Sequence, residues 1–384
     1  MRQAVNETRS ARYHRLKRRA RVVAALGGSL LLVAFLLSGG SAWLRDAADV
    51  LAGGLPAGAQ PWAVVAVYVT ALFLAAEAVA APLAFYQGFL LERRYGLGRQ
   101  SAASWAWDSA KVAMIGLALS LAGAEFTYWA IRWSPGWWWV PVSGAFTGFT
   151  LLSVFAAPVL LFPLFFRFEP LAREDLRRRL LELACRAGTP VLGVFEWKLG
   201  EKSRSANAAL VGLGATRRIL ISDTLLAGYT DSEVEVVLAH ELAHHEHGDL
   251  PRMVAADAGI TLVTLLACHA VLRWAGPALG LRGPHDVAGL PALLLTGALV
   301  AVLSLPLVNA RSRAQERRAD ARALDLTRNP AAFLSALRRL GAQNLADEHP
   351  SRFVEWLFHS HPPLPQRLEM ARTWAAEHDR RPGA

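Results

Sequence analysis

Residues 237–250 read VLAHELAHHEHGDL, with four histidines and two glutamates inside the eight residues from His240 to His247. His240, Glu241 and His244 form the pattern H-E-x-x-H. On a helix, positions four apart share a face, so two imidazoles can hold one zinc ion while Glu241 stands beside them to hold a water. The flanks predict that helix. Thr230 or Asp231 can cap it, and Asp231, Glu233 and Glu235 suit the positive end of its dipole. Val234, Val237 and Leu238 supply a buried stripe, and Gly248 is placed to end the helix. His247 shares the face but lies about 10 Å along the axis, too far to bind the same ion. His245 points away from that face. Both read as polar residues at a helix end, while Asp249 either orients that end or bonds a neighbouring side chain.

The surroundings are unusually apolar. The chain has 384 residues, of which 53% are hydrophobic and 13 are Trp. About 20 mostly apolar residues are needed to cross a bilayer core. Six runs qualify: 22–44, 62–86, 109–131, 140–166, 253–275 and 288–309. The fold class expected is mainly α: a polytopic helical membrane protein with about six spans. The first run follows a basic segment, as in a signal peptide, but its length and the five runs after it favour a retained anchor. Pro158, Pro163 and Pro306 predict kinks, which membranes tolerate.

The formal charge of +10 raises the question of nucleic acid, but no nucleic-acid motif is present and the basic residues sit between apolar runs. Membrane topology accounts for them. Residues 1–21 carry eight basic residues and one acid, and Arg93, Arg94 and Arg99 follow the second run. Segments 167–252 and 310–384 are rich in arginine, whereas the alternate loops hold only Arg45, Arg132, Arg273 and Arg282. The positive-inside rule then places both termini and the opening stretch on the cytoplasmic side of the cell membrane. Trp43, Trp62, Trp129, Trp133, Trp137–Trp139 and Trp274 fall near the opposite interface, as an aromatic belt does. Cys185 and Cys268 have no ligand spacing and suggest no disulfide.

The chain thus divides into a basic segment 1–21, a four-span region 22–166, a polar block 167–252, a two-span hairpin 253–309 and a second polar block 310–384. Zinc chemistry needs a third protein ligand and one open position. The stretch NARSRAQERRADARALDL (309–326) puts Glu316 and Asp320 four apart on one helix face. By itself this could be a solvated Arg/Glu/Asp face. With H-E-x-x-H in the same compartment, Glu316 reads as the third ligand and Asp320 as the acceptor that fixes a ligand histidine. In the first polar block, SANAALVGL and RRILIS around GAT predict a β-hairpin. Its edge strand, 206–212, would offer the backbone near Ala208 to an extended peptide.

These pieces, in order, resemble the type I CAAX prenyl proteases, membrane-embedded zinc endopeptidases. They are YGLGRQS (95–101), FEPL (168–171), ANAALVGLGATRRILISDTLL (206–226), HELAHHEHGD (240–249), SRAQERRAD (312–320) and SHPPLPQRL (360–368). The resemblance implies one zinc per chain, a zinc-protease domain built from 167–252 and 310–384, and a peptide or protein substrate. It nominates His361 as a donor to the developing oxyanion and Asn207 as a residue of the cleft. Arg367 is offered equally as a substrate contact and as a structural salt bridge. Members of that family have seven spans around a large water-filled chamber, and the present chain shows one span where they have two at the N-terminus. Rival readings are an HtpX-like quality-control protease, a zinc transporter and a non-catalytic scaffold. The polar flanks of H-E-x-x-H speak against a pore helix.

Overall fold

A computed structural model describes residues 8–379 apart from 213. The first seven residues of the basic N-terminal segment and the last five of the chain lie outside it. Five helices are long and apolar enough to cross a membrane, or six if one bent pair counts as a span.

The N-terminal half is a helical bundle. Helix α1 (Arg9–Leu37) is capped by the Thr8 hydroxyl, which accepts the Ala11 N–H. The chain then turns through Gly39 at φ 76° into a short α2 (Gly40–Ala52). The first span therefore ends at Leu37, not at residue 44. Helix α3 (Gln60–Phe85) runs through a π-helical turn into α4 (Leu91–Arg94), and α5 (Ala102–Trp133) starts on a Ser101 cap. Helix α6 (Trp139–Ala156) breaks as its prolines predict: a π turn at Ala157–Leu161 and a 3₁₀ turn at Phe162–Leu164 bend it by 53°. Pro removes a backbone donor and clashes with the preceding turn. Lys111 of α5 donates to the Leu164 carbonyl at 2.7 Å, supporting the broken end.

The first polar block holds a small sheet and the helices that cover it. Strands β1 (Phe168–Pro170), β2 (Gly193–Trp197), β3 (Ala208–Val211) and β4 (Arg218–Ser222) lie in the order β1-β2-β4-β3. The β3–β4 hairpin is antiparallel with Ala208 opposite Ile221, and β2 runs parallel to β4. Helices α7 (Glu174–Arg186), α8 (Asp223–Gly228) and α9 (Asp231–Glu246) complete the block. Upstream of β3, Arg99 N–H donates to the Lys202 carbonyl and Arg204 N–H to the Leu97 carbonyl. The YGLGRQS stretch thus joins the membrane region to the sheet.

Helices α10 (Asp249–Trp274) and α11 (Leu290–Thr327) form the predicted hairpin, and Pro306 leaves α11 unbroken. Then follow α12 (Pro330–Gln343), α13 (Arg352–Phe358) and α14 (Leu364–Asp379). Helix α2 is pinned to the α10–α11 connection by Arg45 on Asp286 at 2.6 Å and Arg282 on Asp49 at 2.6 Å.

The two polar blocks share one core. Leu180, Ile219, Ile221, Leu225, Leu238 and Leu242 pack with Leu324, Phe333 and Leu337 from beyond α11's midpoint. Each such side chain contributes about 1.5–3 kcal/mol when fully buried. That packing brings α9 against the lower half of α11.

Candidate active site

Helix α9 is fixed at both ends. Thr230 and Glu233 form a reciprocal capping box at its start. At its end His247 N–H reaches the Ala243 carbonyl, and Gly248 takes φ 63°, a left-handed conformation in which a Cβ is disfavoured. The next helix starts there, so Asp249 comes back beside His244.

The site forms where α9 meets α11. His240, His244 and Glu316 present ligand atoms that all lie within 4.8 Å of one another. His240 Nε2 is 3.3 Å from His244 Nε2 and 3.3 Å from Glu316 Oε2. His244 Nε2 is 3.4 Å from Glu316 Oε1. Both Nδ1 atoms face carboxylates instead: His240 Nδ1 stands 2.8 Å from Asp320 Oδ1, and His244 Nδ1 stands 3.0 Å from Asp249 Oδ2. This is how a protein turns two Nε2 lone pairs to one point.

The donor set fits a divalent metal of the zinc type: two imidazoles and one carboxylate, the three protein ligands of a catalytic site. Glu316 Oε2 is buried, with His240 Nε2 at 3.3 Å and His361 Nδ1 at 2.8 Å. Burial by itself disfavours a charged His240 ring, yet Asp320 and Glu316 outweigh it and push the imidazole up to about 10. The same negative field that draws a proton there draws a metal ion. Burial also pushes the Glu241 carboxyl above its usual range, against the pull of His240 and His244.

The remaining expected residues fall in distinct places. His361, exposed just before two buried prolines, holds Nδ1 2.8 Å from Glu316 Oε2, at the rim of the cluster. Arg367 makes the salt bridge that was one of its two expected roles. Its guanidinium is bidentate on Asp320, Nε at 2.7 Å and Nη2 at 2.6 Å. Asn207 is exposed at the head of β3, its N–H given to Ser222 Oγ and its carbonyl taken by Ser222 N–H. Ala208 follows it on the sheet's edge. Neither His245 nor His247 joins the ligand cluster.

Asp249 takes the second of its two expected roles and bonds a neighbouring side chain, His244. Two contributors were not assigned from sequence: Gln315 and Arg318 donate to Asp249 Oδ1 at 3.1 and 3.0 Å. The only sequence signal for Asp249 is an acid just past the glycine that ends the H-E-x-x-H helix.

With this geometry in hand, residues 170–375 match the model of peptidase family M48. The chain belongs to that family. Residues 5–167 match a second model, described as "CAAX prenyl protease N-terminal, five membrane helices". Here that region carries three helices long and apolar enough to cross a membrane, one bent pair that would make a fourth, and the short α2. The chain is 30% identical over 311 residues to the uncharacterised metalloprotease YhfN of Bacillus subtilis, covering 79% of this chain and 72% of that one. It is 25% identical over 332 residues to a CAAX prenyl protease 1 homolog of Caenorhabditis elegans, covering 77% and 74%. The crystal structure of S. mikatae Ste24p shares its fold, with a TM-score of 0.79 at 23% identity, over 94% of this chain and 87% of that one. The protein is therefore a membrane metalloprotease of the CAAX prenyl protease-like kind. The match across its membrane helices favours that kind over an HtpX-like one.

Proposed function

We propose that this chain is a zinc-dependent endopeptidase that cuts extended peptide segments at the cytoplasmic face of the cell membrane, with one zinc per chain. The observation that carries the proposal is the convergence of His240 Nε2, His244 Nε2 and Glu316 on one point, with both Nδ1 atoms facing carboxylates. Three protein ligands leave a position for water, the arrangement of a catalytic zinc site and not of a closed structural one. The cytoplasmic assignment rests on the arginine-rich polar blocks that build the site. A pore role is disfavoured because α9 packs into the core of those blocks.

His240, His244 and Glu316 would hold the zinc, which when bound would supply a Lewis acid and bring the pKa of a water down to about 7 in favourable sites. Glu241, beside the ligand histidines, would accept a proton from the attacking water and return it to the leaving amine. His361 at the rim donates to the oxyanion. Asp320 and Asp249 keep the two rings aimed, and Arg367 holds Asp320 in place. The substrate backbone lies along β3 at Asn207 and Ala208.

The test is chelation and one substitution. Removing metal from detergent-purified protein should abolish peptide hydrolysis, and zinc should restore it. Glu316→Ala should lose most of its zinc; full zinc content in that variant would sink the third-ligand assignment.

A further inference from the structure

The edge of the sheet at β3 is covered almost everywhere. In an antiparallel ladder, alternate residues bond the partner strand and those between turn their N–H and C=O outward. Asn207 bonds Ser222 of β4, so the even-numbered residues of this strand face away from the sheet. Upstream their outward groups are all engaged. The Lys202 carbonyl accepts Arg99 N–H at 2.9 Å, and Arg204 N–H reaches the Leu97 carbonyl at 2.8 Å. The Arg204 carbonyl accepts Gln343 Nε2 at 2.6 Å. Asn344 then mimics a strand neighbour: its Oδ1 accepts Ala206 N–H at 3.0 Å, and its Nδ2 donates to the Ala206 carbonyl at 3.1 Å. At the other end, His245 Nε2 lies 3.4 Å from the Leu210 carbonyl.

Between these two side chains, three outward groups have no partner among the described residues: Ala208 N–H, Ala208 C=O and Leu210 N–H. Exposed edges are a hazard that proteins usually cover. This one is covered up to a gap of three groups, and His245, which bounds the gap, adjoins the ligand His244.

We infer that Asn344 and His245 are stops that set how long a substrate strand can pair in this gap, along which the proposed function already lays the substrate backbone. The inference rests on the endopeptidase reading and deepens it. The substrate class is an extended segment with both backbone edges free, which excludes a folded helix or an already paired strand. Three backbone bonds span about three residues, roughly 10 Å at strand spacing. Backbone bonding selects little by sequence, so the stops confer selectivity by length. Asn344 and His245 act as positioning residues and not as catalytic ones.

The experiment uses the zinc-loaded full chain and a series of quenched peptides of increasing length. For the wild type, KM should fall with length until the gap is filled and then level off. In Asn344→Ala the Ala206 groups become free. Peptides longer by two residues on that side should then show a KM lower by roughly five-fold or more from two added hydrogen bonds, with kcat little changed. A backbone N-methyl scan adds a second readout. Outside the scissile amide, one N-methyl position should weaken binding to the wild type. A further position two residues away should become sensitive in Asn344→Ala. Binding of the same peptides to Glu241→Gln, followed by anisotropy, separates pairing from turnover. Asn344→Asp, which keeps the acceptor and loses the donor, should fall between. An unchanged length profile and N-methyl pattern in a folded Asn344→Ala would overturn the inference, as would an equal loss of kcat at every length. If the zinc-loaded wild type cuts no peptide of any length, the endopeptidase reading fails first and takes this one with it.

Discussion

Asp320→Asn tests how the site holds its metal. Asp320 is fully buried, with Arg367 bidentate at 2.7 and 2.6 Å and His240 Nδ1 at 2.8 Å. Asparagine keeps the shape but removes the charge, and its NH₂ must face one of two donors. The Arg367 side chain is only 16% exposed, so the orphaned guanidinium gains little from water. Breaking a buried pair from one side costs about 3–5 kcal/mol. The lower end applies here because one amide oxygen still accepts from Arg367. Losing a carboxylate that fixes a ligand histidine typically weakens metal affinity about 10–100-fold. Zinc affinity, measured by competition with a chromophoric chelator, should fall by that factor, and thermal unfolding should shift down. A variant that binds zinc within twofold of the wild type would refute the claim that Asp320 aims His240.

Further outcomes follow from the same geometry. His361→Ala should keep its zinc and lose about 10²–10³-fold in kcat; unchanged kcat would remove His361 from the oxyanion role. Glu233 ties α9 to α12. Burial would raise its carboxyl above 4.5, but Ser335, the Thr230 N–H and Arg339 outweigh that and hold it lower. Its contribution to stability is therefore complete above the unfolded value and is lost as pH falls through the folded one. Unfolding temperature followed from pH 6 to pH 3 should show a steeper acid decline in the wild type than in Glu233→Gln, and parallel curves would count against the pairing.

Much of this architecture is legible in the sequence because its signals are local. Apolar runs of membrane length mark the spans, and prolines at 158 and 163 mark the break in α6. The Thr230–Glu233 capping box sets the start of the H-E-x-x-H helix, and the four-residue spacing of Glu316 and Asp320 puts both on one face. What stayed hidden depends on tertiary placement. The turn between α1 and α2 lies inside an uncharged run, so a window average of hydropathy passes over it; only the Ser-Gly-Gly at 38–40 hints at it. The hairpin of β3 and β4 shows in its alternation, but β1 has three residues and β2 finds its parallel partner only in the folded chain. Arg367 sits 47 residues from Asp320, and Asn344 sits 138 from Ala206. No periodicity links residues so far apart. Asp249 lies near in sequence, yet its reach to His244 requires the left-handed turn at Gly248.

The most direct test of the central claim pairs zinc content with peptide hydrolysis in purified wild type and Glu241→Gln. About one zinc per chain in both, with hydrolysis at least 10²-fold lower in the variant, is the expected result, since a positioned proton shuttle contributes about 10²–10⁴-fold. Zinc in neither protein despite an intact fold, or equal hydrolysis by both, would contradict the account.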